Sequence, residues 1–66
     1  MYIMKIKGVN RMPDFIQIRD DAFTLLAYTR ADKLHQLSKE LDGVLTPEEL
    51  RNLLGSLPYG QLVKIR

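Results

Sequence analysis

The sequence predicts an α+β domain in which two helices pack on one face of a four-stranded, mostly antiparallel sheet, with the chain order β-β-β-α-α-β. Two periodicities predict this class. Apolar residues alternate with a period of two in the first half of the chain and at its C-terminus, and recur every three or four residues between them. Helices on one face of a sheet satisfy both patterns. The 66 residues are expected to form one small domain.

Four segments of alternating residues are predicted to be strands, at 2–7, 15–19, 22–29 and 61–66. Glycine, asparagine and proline in GVNRMPD separate the first two strands, and Asp20-Asp21 is predicted to form the next turn. The side chains expected to face the helices are Met4, Ile6, Ile16, Ile18, Phe23, Leu25, Ala27, Val63 and Ile65.

The first helix is predicted to begin at Thr29, which is suited to an N-cap and has Asp32 three residues further on. Its apolar stripe contains Leu34, Leu37 and Leu41, and Gly43 is expected to end it in a left-handed conformation. These spacings favour an amphipathic helix over a loop.

The second helix has a stronger start signal. Thr46 is followed by a proline at the first helical position and by Glu49 at the position of a capping-box carboxylate. Leu50 begins a buried stripe, and Gly55 is expected to end the helix.

The segment DGVLTPEEL resembles the end of an EF-hand calcium loop when Gly43 is set as the sixth of twelve residues, 38–49. Ser38 then occupies the first ligand position, which is normally an aspartate, and residues 38–41 would have to leave the helix that their apolar stripe predicts. A joint between two helices is therefore favoured, no metal site is expected, and a degenerate calcium loop is a remote alternative. Its ligand positions would be filled by Ser38, Glu40, Asp42, Val44, Thr46 and Glu49.

Composition narrows the class of protein. The chain has no cysteine, which excludes disulfides and thiolate metal sites and fits a reducing compartment. Its net charge is only +2, and no apolar run approaches the roughly 20 residues of a membrane-spanning helix. We expect a soluble, cytoplasmic protein.

Catalysis is not expected. His35 is the only histidine and lies off the apolar stripe of the first helix, where a lone histidine is usually a surface residue. The chain has no cysteine nucleophile, no G-x-S-x-G sequence and no glycine-rich phosphate loop. We therefore expect a non-catalytic binding protein without a cofactor.

The outward side of the predicted sheet is the candidate binding surface. Five of the ten basic residues have outward parity, and no acidic residue in a strand shares it. Lysine and arginine neutralise phosphates, and exposed aromatic rings stack on bases, so single-stranded nucleic acid is the first predicted ligand. The predicted contacts are Lys5, Lys7, Arg19, Lys64 and Arg66 to phosphates, with Phe15 and Tyr28 stacking on bases.

A protein interface is the alternative prediction for the same side. Its outward positions are rather apolar for a solvent-exposed surface, and exposed apolar patches often mark contacts with a protein partner. A homodimer would also add buried area to a small domain without covalent support. The interface residues in this alternative are Ile3, Phe15, Leu26, Tyr28 and Leu62.

Overall fold

A computed structural model describes all 66 residues and confirms the predicted class and chain order. No helix has both the length and the apolar character needed to cross a lipid bilayer. The elements are β1 (Tyr2–Ile6), β2 (Phe15–Arg19), β3 (Leu25–Arg30), α1 (Leu34–Glu40), α2 (Pro47–Ser56) and β4 (Val63–Lys64). The strands form one antiparallel sheet in the order β3-β2-β1-β4.

The core lies between one face of the sheet and the two helices. Its sheet side is formed by Ile3, Ile16 and Ile18, all fully buried. Burying an aliphatic side chain of this size stabilises the fold by roughly 1.5–3 kcal/mol. The helical side of the core consists of Leu37, Leu41, Leu50, Leu54 and Leu57.

The predicted orientation of β1 is wrong. Ile3 pairs with Ile18, and Lys5 pairs with Ile16, so Ile3 and Lys5 lie on the helix-covered face. Met4 and Ile6, which were expected to face the helices, therefore lie on the opposite face. Both parities of β1 carry apolar residues, so the hydrophobic pattern does not determine which side is buried.

The turn between β2 and β3 also departs from the prediction. The third strand was expected to begin at residue 22, but β3 begins at Leu25, and a register shift lies opposite the Ile18–Arg19 step. Phe23 lies in the turn with φ +64°, and both Phe23 and Leu25 are exposed. A turn residue and a bulged strand do not follow the strict alternation from which inward positions were predicted for them.

The first helix begins later than predicted. Thr29 is not its N-cap; it lies in β3 and pairs with Ile16. As a β-branched residue it suits the ladder. α1 begins at Leu34 after Lys33, which makes no side-chain capping bond. Gly43 follows α1 with φ +80°, the left-handed conformation that the sequence predicted.

The predicted capping box of α2 is confirmed. The Thr46 hydroxyl accepts a hydrogen bond from the Glu49 N–H at 3.1 Å, and the Glu49 carboxylate accepts one from the Thr46 N–H at 3.0 Å. The Thr46 N–H first, and then the Thr46 side chain, lower the pKa of the Glu49 carboxyl. α2 continues through Gly55 to Ser56, so its end lies one residue beyond the glycine.

The loop between β1 and β2 is fixed at its base. Gly8 donates its N–H to Asp14 Oδ1 at 2.8 Å, and the Tyr59 hydroxyl donates to Asp14 Oδ2 at 2.9 Å. These two bonds, the Gly8 N–H first, lower the pKa of Asp14, and the bond to Asp14 raises that of Tyr59. A Cβ on Gly8 would lie 2.0 Å from the Met12 carbonyl oxygen, so no side chain fits there.

Candidate interaction face

The side of the sheet opposite the helices is the candidate interaction face, and it is called the open face below. Because Ile16, Ile18 and Ile3 point into the core, their neighbours in each strand point to the other side. Neither α1 nor α2 covers that side, since both pack against the core. The open face carries Tyr2, Met4, Ile6, Phe15, Gln17, Arg19, Leu26, Tyr28, Arg30 and Lys64, together with Phe23 from the turn.

Two pairs of aromatic rings lie on the open face. Tyr2 and Phe23 have ring centroids 4.9 Å apart, tilted by 35°, and Phe15 and Tyr28 have centroids 5.0 Å apart, stacked within 18°. These separations are those of favourable ring pairs. Tyr2 lies four residue steps along β1 from Ile6, which pairs with Phe15, so the two ring pairs are about 13 Å apart along the strands.

The backbone at Phe23 is held in an uncommon conformation. A bulky residue rarely adopts φ near +64°. Asp20 stabilises the turn by accepting, through Oδ1, hydrogen bonds from the N–H groups of Ala22 and Thr24, both at 2.9 Å. The Arg19 guanidinium donates to the Phe23 carbonyl at 2.8 Å. These bonds hold the turn, and the Phe23 ring lies against the Tyr2 ring while 53% of the residue is exposed.

The charges of the open face are positive. Arg19, besides its bond to Phe23, donates to Gln17 Oε1 at 3.1 and 3.3 Å, and Arg30 forms an ion pair with Asp32 at 2.8 Å. Lys64 is exposed on β4, and no strand contains an acidic residue. The strands therefore give the open face an apolar surface with basic groups at its margins, where Asp32 pairs with Arg30 and Asp21 lies near Lys64.

Lys5 does not contribute to this charge, and the prediction that it shares a face with Arg19 and Lys64 is wrong. Lys5 Nζ donates to the Leu54 carbonyl at the end of α2 at 2.8 Å. It lies 5.0 Å from the centre of the Tyr59 ring, and Lys7 Nζ lies 5.9 Å from the same ring. The long lysine stem reaches past the core to these partners, which is why a lysine is accommodated beside Ile3.

Other predicted contacts are also separated from the open face. The Arg66 guanidinium donates to the Gly43 carbonyl in the joint between the helices. Ile3 is fully buried and cannot touch a partner, and Leu62 is exposed but precedes β4. The predicted site residues that the open face does bring together are Phe15, Arg19, Leu26, Tyr28 and Lys64.

A shallow cavity of about 260 Å³ lies at the Phe15–Tyr28 end of the open face. Besides the two rings, its lining includes Ile6, Lys7, and Val9 and Met12 of the β1–β2 loop. Sequence alternation did not identify Tyr2, Met4 or Ile6 as surface residues. The available signal was that residues 2–4 and 6 are all apolar or aromatic, so either orientation of β1 exposes such side chains.

The joint between α1 and α2 forms a second, polar depression of about 640 Å³. Residues 38–40 stay helical, and the Glu49 carboxylate is engaged in the capping box. No three histidine or acidic side chains lie close enough to hold a metal ion. The joint is thus explained by its caps, and its lining includes His35, Ser38, Lys39, Asp42, Thr46 and Glu49.

No protein family, curated protein or solved structure matches this chain. The chemistry of its own surfaces is therefore the basis for a function. The open face offers apolar area, aromatic rings and guanidinium and ammonium donors, which are groups that bind a partner through contact and charge.

Proposed function

We propose that the protein is a non-catalytic interaction module whose open face binds a protein partner. The observation that carries this proposal is the exposure of large apolar side chains on a sheet face that no helix covers. Phe23, Leu26 and Tyr28 expose 53%, 47% and 52% of their surface. Contiguous exposed apolar residues of this kind mark interaction sites in soluble proteins.

The ring pairs support the same proposal. Aromatic residues are enriched at the centres of protein interfaces, where they supply much of the binding energy. The rings of Phe15 and Tyr28 are already stacked, and Phe23 lies beside Tyr2 in a turn whose backbone is held by Asp20. A partner then loses little free energy in ordering these side chains.

Selection from a peptide display library tests the proposal. The wild-type protein is the bait, and a variant with Phe15→Ser and Tyr28→Ser is the comparison. A control with His35→Ser and Gln36→Ser changes two exposed residues of α1 instead. We expect enriched apolar peptides that bind wild type and control equally and lose at least tenfold in affinity for the open-face variant. Equal binding to all three proteins would contradict the proposal.

Single-stranded nucleic acid is the second candidate, and the absence of any acidic residue in the strands favours it. Arg19 and Lys64 would contact phosphates, and the ring pairs would stack on bases. Of the predicted nucleic-acid contacts, the open face contains Phe15, Tyr28, Arg19 and Lys64. Lys5 is left out because it lies on the helix-covered face.

Salt dependence separates the two candidates. Phosphate contacts weaken steeply as salt rises, whereas apolar association persists. A short oligonucleotide is titrated at low and high salt into wild type, into Arg19→Gln/Lys64→Gln and into Lys33→Gln/Lys39→Gln, whose changes lie at the N-cap of α1 and within it. Salt-sensitive binding lost only in the first variant would establish nucleic acid as the ligand. No binding by any of the three would remove it.

A further inference from the structure

The two edges of the sheet differ in how they are protected. The β4 edge is only two residues long and contains Lys64. The β3 edge is six residues long, has no proline or lysine, and is interrupted only by the register shift near Leu25. Short strands and lysines block edge pairing, and β3 has neither; its one charged residue, Arg30, and its register shift lie at opposite ends of the strand.

The hydrogen bonds of β3 identify which backbone groups are available. Ala31 donates its N–H to the Asp14 carbonyl of the neighbouring segment at 2.8 Å. Because alternate residues of an antiparallel strand bond to the same neighbour, Ala27 and Thr29 also direct their backbone groups to β2. Tyr28 and Arg30 direct theirs to the free edge, where the Arg30 carbonyl already accepts the Lys33 N–H at 3.0 Å.

We propose that β3 pairs antiparallel with β3 of a second copy of this chain, around a twofold axis at Tyr28. The two Tyr28 residues then exchange N–H···O bonds, and Arg30 of each copy lies opposite Leu26 of the other. This register keeps the two Arg30 side chains apart, which matters because like charges directly opposite each other destabilise a sheet.

The side chains at the seam fit this pairing. On the helix-covered side, Ala27 of one copy lies opposite Thr29 of the other, and both side chains are small. On the other side, the apolar stem of Arg30 covers Leu26, which is exposed in the single chain. The two open faces become one surface across an eight-stranded sheet. The inference itself depends on the strand edge and not on the proposed function of the open face.

Amide hydrogen exchange on the unmodified protein, read by NMR, tests the pairing directly. The amides of Ala27 and Thr29 bond within the chain, so their protection is expected at every protein concentration. The Tyr28 and Arg30 amides are expected to gain at least tenfold protection as concentration rises and the mass in solution approaches twice 7.6 kDa. A mass that stays at 7.6 kDa up to millimolar concentration, or Tyr28 and Arg30 amides that stay unprotected in a dimer, would overturn the inference.

Two matched pairs of variants provide a second test. Tyr28→Pro and Arg30→Pro each remove an outward N–H and leave the bonds to β2 intact, whereas Tyr28→Ala and Arg30→Ala retain that N–H. We expect both proline variants to weaken the dimer at least tenfold more than their alanine controls. If Phe15→Ser abolishes the dimer and the proline variants keep it, the copies associate through their open faces. That result would refute edge pairing and leave the proposed function of the open face untouched.

Discussion

Both faces of the sheet carry large apolar side chains, but the two faces have different neighbours. Along β2, Ile16 and Ile18 are buried under the helices, while Phe15, the first residue of the strand, is only half-buried on the open face. The open face holds more aromatic residues than the covered face, yet no element of the chain packs on it. The comparison shows that apolar character alone does not distinguish residues that hold this fold together from residues available to a partner.

Truncating a residue of the covered face should have the largest effect on stability. Ile18→Ala removes a fully buried side chain from the centre of the core and leaves a cavity. We expect a loss of about 2–5 kcal/mol in the free energy of unfolding, which for a domain of this size approaches complete unfolding. Urea denaturation measures it. A loss below about 1 kcal/mol would mean that the helices do not pack tightly on this face.

Two lysines distinguish the faces more finely. Lys5→Ala removes the ammonium that binds the Leu54 carbonyl on the covered side, so we expect a loss of about 1–2 kcal/mol. Lys64→Ala removes an exposed charge of β4 and should change stability by less than about 0.5 kcal/mol. Thermal denaturation of the two variants gives the comparison. Equal effects would indicate that Lys5 is exposed as the sequence suggested.

On the open face, stability and binding should separate. Phe15→Ala breaks the stacked pair with Tyr28, and we expect a loss of about 0.5–1.5 kcal/mol in stability. Its effect on the affinity for a peptide selected with the wild type should exceed tenfold. The free energy of unfolding and the peptide affinity of Phe15→Ala are measured on the same sample, so that the two losses can be compared directly. A stability loss as large as that of Ile18→Ala would assign Phe15 to the core.

The smallest expected effect on stability comes from Asp14, at the base of the β1–β2 loop. The pKa of Asp14 is lowered in the folded state, chiefly by the Gly8 N–H and then by the Tyr59 hydroxyl. Its contribution is therefore present above the unfolded pKa of about 4 and is lost as pH falls through the lower folded value. Urea midpoints of wild type and Asp14→Asn should converge below that pH. Parallel curves from pH 2 to 7 would contradict this linkage.

Sequence predicted the parts of the fold that local chemistry determines. The capping box at Thr46 and Glu49 and the left-handed Gly43 follow from bonds within a few residues, and these predictions are confirmed. The β2 bounds and the inward positions of Ile16 and Ile18 were also correct, because a polar residue separates the two isoleucines. The class and chain order followed from these local signals together.

The candidate site was predicted only in part, and the reason lies in β1. With apolar residues at both parities, its orientation is decided by long-range packing of Ile3 against the helices and by the bond between Lys5 and Leu54. Neither contact is visible in a periodic pattern. Phe23 was assigned to the wrong side for a related reason, since the side-chain bonds of Asp20 end the alternation before β3 begins.

The fixed base of the β1–β2 loop has a consequence for protein engineering. Gly8 admits no substitution, because a Cβ there would lie 2.0 Å from the Met12 carbonyl oxygen and 2.6 Å from that of Pro13, and Asp14 holds the other end of the loop. At the tip, Val9 and Met12 expose 63% and 60% of their surface and border the cavity of the open face. A library randomised at these two side chains would alter what the cavity accepts while the scaffold keeps its shape, so recognition and stability can be varied separately in one short segment.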